Sequence, residues 1–380
     1  MKYGNIRETR ARSQPLFRYK RSSLATHPFV VAVLLSVLIA TPIKAQNSGD
    51  NQPFLPSSVR SVSTVPATGD ENPYGVAFVP RQFPTGTVNP GDILVSNFNN
   101  NQNLQGTGTS IMRVPPTGQP SVFFQGQSPL GLSTALTILQ KGFVLVGNFP
   151  SSDGTCGNST AGSILVINSS GKQVAAVTDA SIDGPWDSAL FDQGDSAQLF
   201  VANGLSGTIV RLDLKVNSSG VTLQKATEIA SGYQHQCDPV TFVDAPTGLV
   251  YDPRRDVLYV ASTEDNAVFA VSDAASTMHD RGRGRMIYQD AAHLHGALAM
   301  AMAPNGHLLV SNNDAINPDP NQPSEIVEFT MEGKFVKELS VDPSQGGAFG
   351  LAVAASGDLA QLAAVDDVTN TLLVFAIPLP

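Results

Sequence analysis

The stretch Leu94-Val95-Ser96-Asn97 returns as Leu145-Val146-Gly147-Asn148, Phe200-Val201-Ala202-Asn203, Tyr259-Val260-Ala261-Ser262 and Leu309-Val310-Ser311-Asn312, and more loosely as Ala363-Ala364-Val365-Asp366. Each copy is an apolar run, a small residue, then an amide, acid or hydroxyl. One small residue upstream anchors each copy: Gly75, Ala135, Ser188, Gly248, Ala299 and Gly350. The anchors lie 60, 53, 60, 51 and 51 residues apart, a mean of 55. Self-similarity at a fixed period marks one supersecondary unit copied around or along an axis. This period is too long for leucine-rich, ankyrin or tetratricopeptide units, and no helical periodicity accompanies it. It suits a four-stranded antiparallel blade with generous loops. The chain therefore reads as all-β, a six-bladed β-propeller.

Within each repeat, four strands run from A at the central channel to D at the rim. Blade 1 is expected as Tyr74–Pro80, Asp92–Asn97, Ser110–Val114 and Ser121–Gln125. Blade 2 is expected as Ala135–Leu139, Phe143–Asn148, Ser163–Asn168 and Gln173–Thr178. Runs such as Ile93-Leu94-Val95 and Ser163-Ile164-Leu165-Val166-Ile167 are nearly continuous in apolar character. Strands buried on both faces read that way, and a blade held between two neighbours is buried on both faces. The last repeat supplies only strands A to C. At the other end, Val59-Arg60-Ser61-Val62-Ser63-Thr64-Val65 is β-branched and has no repeat of its own. Pairing this N-terminal strand outside the final C strand closes the last blade and hides an edge that would otherwise template aggregation.

Residues 1–45 read as a signal peptide. Arg7, Arg10, Arg12, Arg18, Lys20 and Arg21 form a basic leader, residues 29–40 an apolar core, and Thr41-Pro42-Ile43-Lys44-Ala45 a cleavage region. That 12-residue core is short of the ~20 residues that span a bilayer. The mature chain is expected to be exported, periplasmic or extracellular, without membrane insertion. Residues 46–57 read as a polar tether and residues 58–380 as a single propeller domain. Beyond residue 45 the chain holds 15 basic and 31 acidic side chains, a net charge near −16. Such a surface repels nucleic acid, so no nucleic-acid partner is expected. A monomer is expected. The Arg281, Arg283, Arg285 cluster is spaced by glycines and reads as a solvated turn.

In a propeller the B–C loops and the D–A connections share one face, around the channel mouth. Here residues 98–108, 149–161 and 313–323 make B–C loops of 11, 13 and 11 residues, while the other three hold four each. The D–A connection over residues 231–246 is also long. Loops on a rigid scaffold carry function, so this long-loop face is the expected functional face. Phe98, Phe149, Pro150, Trp186 and Tyr233 are its candidate anchors. Asn97, Asn148, Asn203, Asn312 and Asp366 end the repeated phrases; side chains at strand ends mostly bond the adjacent turn backbone.

The chain's two cysteines, Cys156 and Cys237, fall in two of the long connections on that face. In an exported protein they can form one disulfide, provided their Cα atoms come within about 7 Å. The alternative is two free thiols. Three polar residues, Glu71, Asp244 and His295, stand four positions before their anchors, where inner strands converge on the channel mouth. Asp187 directly precedes another anchor. His293 and His295 lie two apart in an extended stretch and can face one side. Asn313, Asp314, Asn317, Asp319 and Asn321 could offer oxygen ligands to calcium. No nucleophile elbow, Walker loop, dinucleotide fingerprint or CxxC pair is present.

Residues 258–271, Leu-Tyr-Val-Ala-Ser-Thr-Glu-Asp-Asn-Ala-Val-Phe-Ala-Val, resemble the core of an NHL repeat, as do residues 365–375. The grammar over residues 58–380 is broadly similar to YVTN-type and regucalcin/gluconolactonase-like propellers. Gluconolactonase-like enzymes hold a divalent metal through a carboxylate before a proline, an Asn-Gly and a later aspartate. Glu71-Asn72-Pro73 resembles the first element. Thr247-Gly248 stands where Asn-Gly is implied, and Asp187 comes before it rather than after. Peptide-amidating lyase, another NHL-like propeller, is similar in using histidines from several blades on zinc.

These readings favour an exported, non-enzymatic binding propeller that takes a protein, peptide or glycan on its long-loop face, with Glu71, Trp186, Asp187, Asp244 and His295 as candidate ligand-binding residues and no cofactor. The alternative is a metal-dependent hydrolase or lyase, lactonase-like or amidating-lyase-like. It would hold one calcium or zinc ion at the channel mouth through Glu71, Asp187, Asp244, His293 and His295.

Overall fold

The computed structural model describes residues 52–56 and 60–379; the expected signal peptide lies outside the described residues. Six four-stranded antiparallel sheets form the blades of a propeller. Blade 1 runs Glu71–Phe78, Ile93–Asn99, Ser110–Val114 and Ser121–Gln125. Blade 2 is Leu132–Leu139, Phe143–Asn148, Ser163–Asn168 and Gln173–Val177. Blade 3 comprises Pro185–Asp192, Ser196–Asn203, Thr208–Asn217 and Gly220–Ala230. Blade 4 has Pro246–Asp252, Val257–Ser262, Ala267–Ser272 and Arg285–Tyr288. Blade 5 follows with Ala297–Met302, Leu308–Asn312, Glu325–Phe329 and Phe335–Ser340. Blade 6 takes Ala348–Ser356, Leu359–Asp366 and Thr371–Pro378 from the C-terminal end and Arg60–Ser63 from the N-terminal end. The expected closure is present, with Arg60 opposite Val374 and Ser63 opposite Thr371.

The repeated phrase can now be read atom by atom in its first copy. Leu94, with Ile111, packs in one cluster with Leu136, Val144 and Leu165 of blade 2, so its apolar side chain seals one blade to the next. Ser96 bridges inner strands: its hydroxyl accepts from Gly75 N at 3.0 Å and donates to Ser133 O at 2.9 Å. Ser311 repeats this between Ala299 and Phe349. The closing asparagines lash the incoming D–A connection to the blade. Asn148 accepts from Gly131 N, Asn203 from Asp183 N and Asn312 from His295 N, each at 3.0–3.1 Å. They are structural ties, as strand-end amides commonly are.

The anchors are small because adjacent inner strands nearly touch. A Cβ on Gly248 would lie 1.9 Å from Leu298 O, and one on Gly350 2.0 Å from Tyr74 O. Several inner strands begin earlier than expected, at Glu71 rather than Tyr74 and at Leu132 rather than Ala135. In every blade the A–B ladder slips at the anchor, between Pro73 and Gly75, Leu132 and Leu136, Pro185 and Ser188, Pro246 and Gly248, Ala297 and Met300, and Ala348 and Leu351. Pairing resumes beyond each slip. A bulge re-aims the side chains it carries, and its repetition prepares the channel mouth.

Part of the segment expected as a polar tether is anchored to the propeller. Phe54 and Leu55 are buried in the apolar cluster shared by blades 5 and 6. Their amides donate to the carboxylate of Glu328 at 2.8 and 3.0 Å, and Lys337 Nζ donates to Leu55 O. Glu328 is fully buried and also meets His307 Nδ1 at 2.6 Å. An amide there would turn an N–H toward other donors. Glu328→Gln is therefore expected to cost about 1–3 kcal/mol, read by urea denaturation; a change within error would show that the anchor contributes nothing.

Candidate functional site

The channel mouth on the long-loop face is filled by aromatic rings. Tyr74 and Phe349, which directly precede their anchors, stack at 4.3 Å between centroids, and Tyr74 stacks on Phe98 at 4.7 Å. Trp186 lies edge-on to Phe98 and parallel to Phe242, with Phe149 beside both. Offset and edge-on rings at these distances attract beyond their area burial. Trp186, Phe98 and Phe149 are 0 % exposed. They are core and not solvent-facing anchors, because they pack in one buried cluster with Phe242 and Val243 of a hairpin that covers them. Tyr233 is likewise buried, its hydroxyl donating to Arg283 O.

That covering hairpin, Gln236–Asp238 with Phe242–Asp244, lies in the long D–A connection between blades 3 and 4. It drops Phe242 and Val243 into the aromatic cluster. Cys237 on the hairpin joins Cys156 on the blade 2 loop, with Cα atoms 5.5 Å apart, as the expected disulfide. Gln105 of the blade 1 loop donates to Val240 O from the other side. Three long connections are thus knitted into one cover. A disulfide belongs with an oxidising compartment.

The candidate residues go to separate places. Glu71 is half-buried at the start of blade 1, near Asp367, whose carboxyl is raised well above its usual range by burial and by the charges of Asp366 and Glu71. Asp244, on the hairpin itself, accepts from Thr241 Oγ1, and burial chiefly raises its pKa to about 6. Asp187 points into the central channel. Its Oδ2 accepts from Leu249 N at 2.8 Å, and burial raises its pKa to about 7. Among the described residues no group of three His, Cys, Asp or Glu side chains is arranged to hold a metal ion. The set Glu71, Asp187, Asp244, His293 and His295 is not assembled as a metal centre.

His293 and His295 are brought together. They line a groove of about 690 Å³ on the long-loop face, opposite Asn317, Asp319, Asn321 and Gln322 of the blade 5 loop. His293 stacks on Phe335 at 3.7 Å, with Nδ1 2.6 Å from Asp290 Oδ2. His295 Nδ1 donates to Asn317 O at 2.6 Å, so Nε2 carries the lone pair in the neutral ring. That Nε2 is buried without a partner, as are Asp314 Oδ1 and Glu325 Oε1. Burial raises the pKa of Asp314 and takes that of Glu325 to about 7, with the Asp314 charge adding to the latter. Glu325, at the start of a C strand, was not singled out in the sequence; an acid opening an apolar strand beside a polar loop is the signal that would have found it. Two arginines of the basic cluster are engaged in ion pairs, Arg281 with Asp273 and Arg283 with Asp265.

No family model matches the chain, and neither does any curated protein. Solved structures do. An oxidoreductase named as a glucose dehydrogenase from Thermus thermophilus aligns with TM-score 0.50 and 13% identity, over 84% of this chain and 100% of that one. Virginiamycin B lyase from Staphylococcus aureus aligns with TM-score 0.48 and 12% identity, over 84% and 99%. A chain of a nidogen/laminin complex aligns with TM-score 0.44 and 13% identity, over 70% and 90%. At such identities the likeness to the Thermus protein is one of propeller fold, and fold alone does not select a chemistry.

Proposed function

We propose that the chain is an exported binding module that takes a protein, peptide or glycan on its long-loop face, in the groove beside His293 and His295. The observation that carries this reading is the contrast on that face. The axial mouth is sealed by a cross-linked aromatic cover, whereas the blade 5 loop leaves a concave space of about 690 Å³. Its walls are rich in amide, carboxylate and imidazole groups held by their own hydrogen bonds, such as Asn317 Nδ2 to Ala291 O at 2.7 Å. A preorganised polar concavity recognises hydroxyl- or amide-bearing ligands with little ordering cost.

The test is a screen of the purified protein on glycan and peptide arrays, repeated with Asn321→Arg, which fills the groove, and with Val174→Arg, an exposed site on another blade. The expected result is a defined ligand class whose retention falls at least about tenfold in Asn321→Arg and is unchanged in Val174→Arg. Equal retention by both variants would overturn the assignment to this groove, and turnover of the captured ligand would overturn the non-enzymatic reading.

A further inference from the structure

A second space lies on the axis, beneath the aromatic cover. It is a cavity of about 260 Å³ to which the inner strands of all six blades contribute. Trp186 and Phe349, each next in sequence to a lining residue, and Tyr74, two positions before Val76, close it on the long-loop side. Toward the A–B hairpins the wall opens: Leu351 is buried, Val353 half-buried and Ala355 exposed. The cavity is therefore blind, entered from the face opposite the groove.

Its wall is mixed: the aliphatic side chains of Val76, Leu136, Leu249, Met300 and Leu351 alternate with polar surface that includes Thr134 and Ser188, and Asp187 lies near the closed end. The side chain of Asp187 accepts a hydrogen bond from another strand, from Leu249 N on Oδ2. Thr134, 4 % exposed, lines the same space, and its hydroxyl has no partner among the described residues. None of the channel-lining residues from the other five inner strands is titratable, and the phenol of Tyr74 in the cover is raised well above its ordinary value and so stays neutral. No basic side chain contributes to the shift of Asp187. A buried carboxylate is ordinarily paired with a cation. Among the described residues the protein supplies none here, while the cavity exceeds the ~150 Å³ that admits benzene in an engineered core.

We propose that this axial cavity is a binding site for a small organic ammonium ion with a short carbon chain, its charge paired with Asp187, its N–H groups shared with Thr134 Oγ1 and its chain lying against the aliphatic side chains of Met300 and Leu351 toward the hairpin face. Proton and ligand compete for Asp187. With its pKa at about 7, the carboxylate is charged and receptive above neutrality and protonated below it. Apparent affinity then scales with the ionised fraction and falls roughly 30-fold between about pH 8.5 and about pH 5.5.

The probe is n-hexylammonium, with n-hexanol as its uncharged counterpart, followed by calorimetry and thermal shift on the intact protein. Saturable binding at about pH 8.5 is expected, reduced roughly 30-fold at about pH 5.5 and at least about tenfold in Asp187→Asn, with hexanol much weaker throughout. Asparagine keeps an oxygen for Leu249 N, so the variant should fold; Val353→Trp, which narrows the entrance, gives an independent loss of binding. The groove variant Asn321→Arg should bind hexylammonium normally, which separates this site from the other. Equal binding of hexanol, equal binding at both pH values, or no saturable binding at about pH 8.5 would overturn the proposal.

Discussion

A chain lacking residues 46–66 should lose several kcal/mol of stability or be recovered as aggregate. The truncation removes Arg60–Ser63, which pairs along Thr371–Pro378, and the Thr64 amide that continues the ladder to Asn370 O at 3.0 Å. It also removes Phe54 and Leu55 from their apolar cluster and leaves the buried Glu328 carboxylate without the two amides that face it. Two penalties therefore add. An unpaired strand edge recruits other chains, and losing the burial of Phe54 and Leu55 with their hydrogen bonds to Glu328 removes favourable contacts. Thermal unfolding with size-exclusion chromatography reads the outcome; an unchanged melting temperature in a monomeric product would refute the closure's importance.

Replacing both Cys156 and Cys237 by serine should cost roughly 4–5 kcal/mol on the chain-entropy account, since the bond closes a long loop. The sequence separation is 81 residues, spanning all of blade 3. The bond also holds the Gln236–Asp238 strand over the aromatic cluster, so its loss loosens the cover on Trp186. Guanidinium denaturation of the double variant, with and without reductant, measures the difference. A loss below about 1 kcal/mol, or an equal response of both proteins to reductant, would count against this role.

The ring of blades was legible because the signal repeats. Leu94, Leu145, Phe200, Tyr259 and Leu309 occupy one position in five successive copies, and burial on both faces makes each run apolar. Ser110–Val114 and Phe143–Asn148 stand at the bounds read from sequence. The cover was not legible as such. Gln236–Asp238 and Phe242–Asp244 are three residues each, too short for any alternation, and Phe242 has a φ of 71°, unusual for an aromatic residue. The aromatic plug did leave a trace. Tyr74 and Phe349 sit just before Gly75 and Gly350, and Phe98 and Phe149 just after Asn97 and Asn148. Equal positions in a rotationally repeated unit lie at equal distances from the axis, so bulky rings recurring at one place must converge. Their placement in or beside loops made them look like surface anchors. His293 and His295 were recognised as a pair facing one space, but their opposite wall comes from loop residues 313–323, whose path no spacing in the sequence specifies.

The N-terminal strand that closes blade 6 has a consequence for how the chain acquires its shape. Ser63 and Thr371 are direct partners across a separation of 308 residues. During synthesis the first strand of the propeller emerges long before the one it must meet. Blades 1 to 5 are each made of consecutive strands and can assemble locally as they appear, whereas blade 6 cannot be completed until nearly the whole chain is available. Loop-closure entropy rises slowly with length, but such distant pairing slows folding and prolongs the life of incomplete species. Throughout that interval the edge at Thr371–Pro378 and the apolar pair Phe54-Leu55 are unsatisfied. The vulnerable stage in the life of this protein is therefore the last step of its folding, when a nearly finished ring waits for its own beginning.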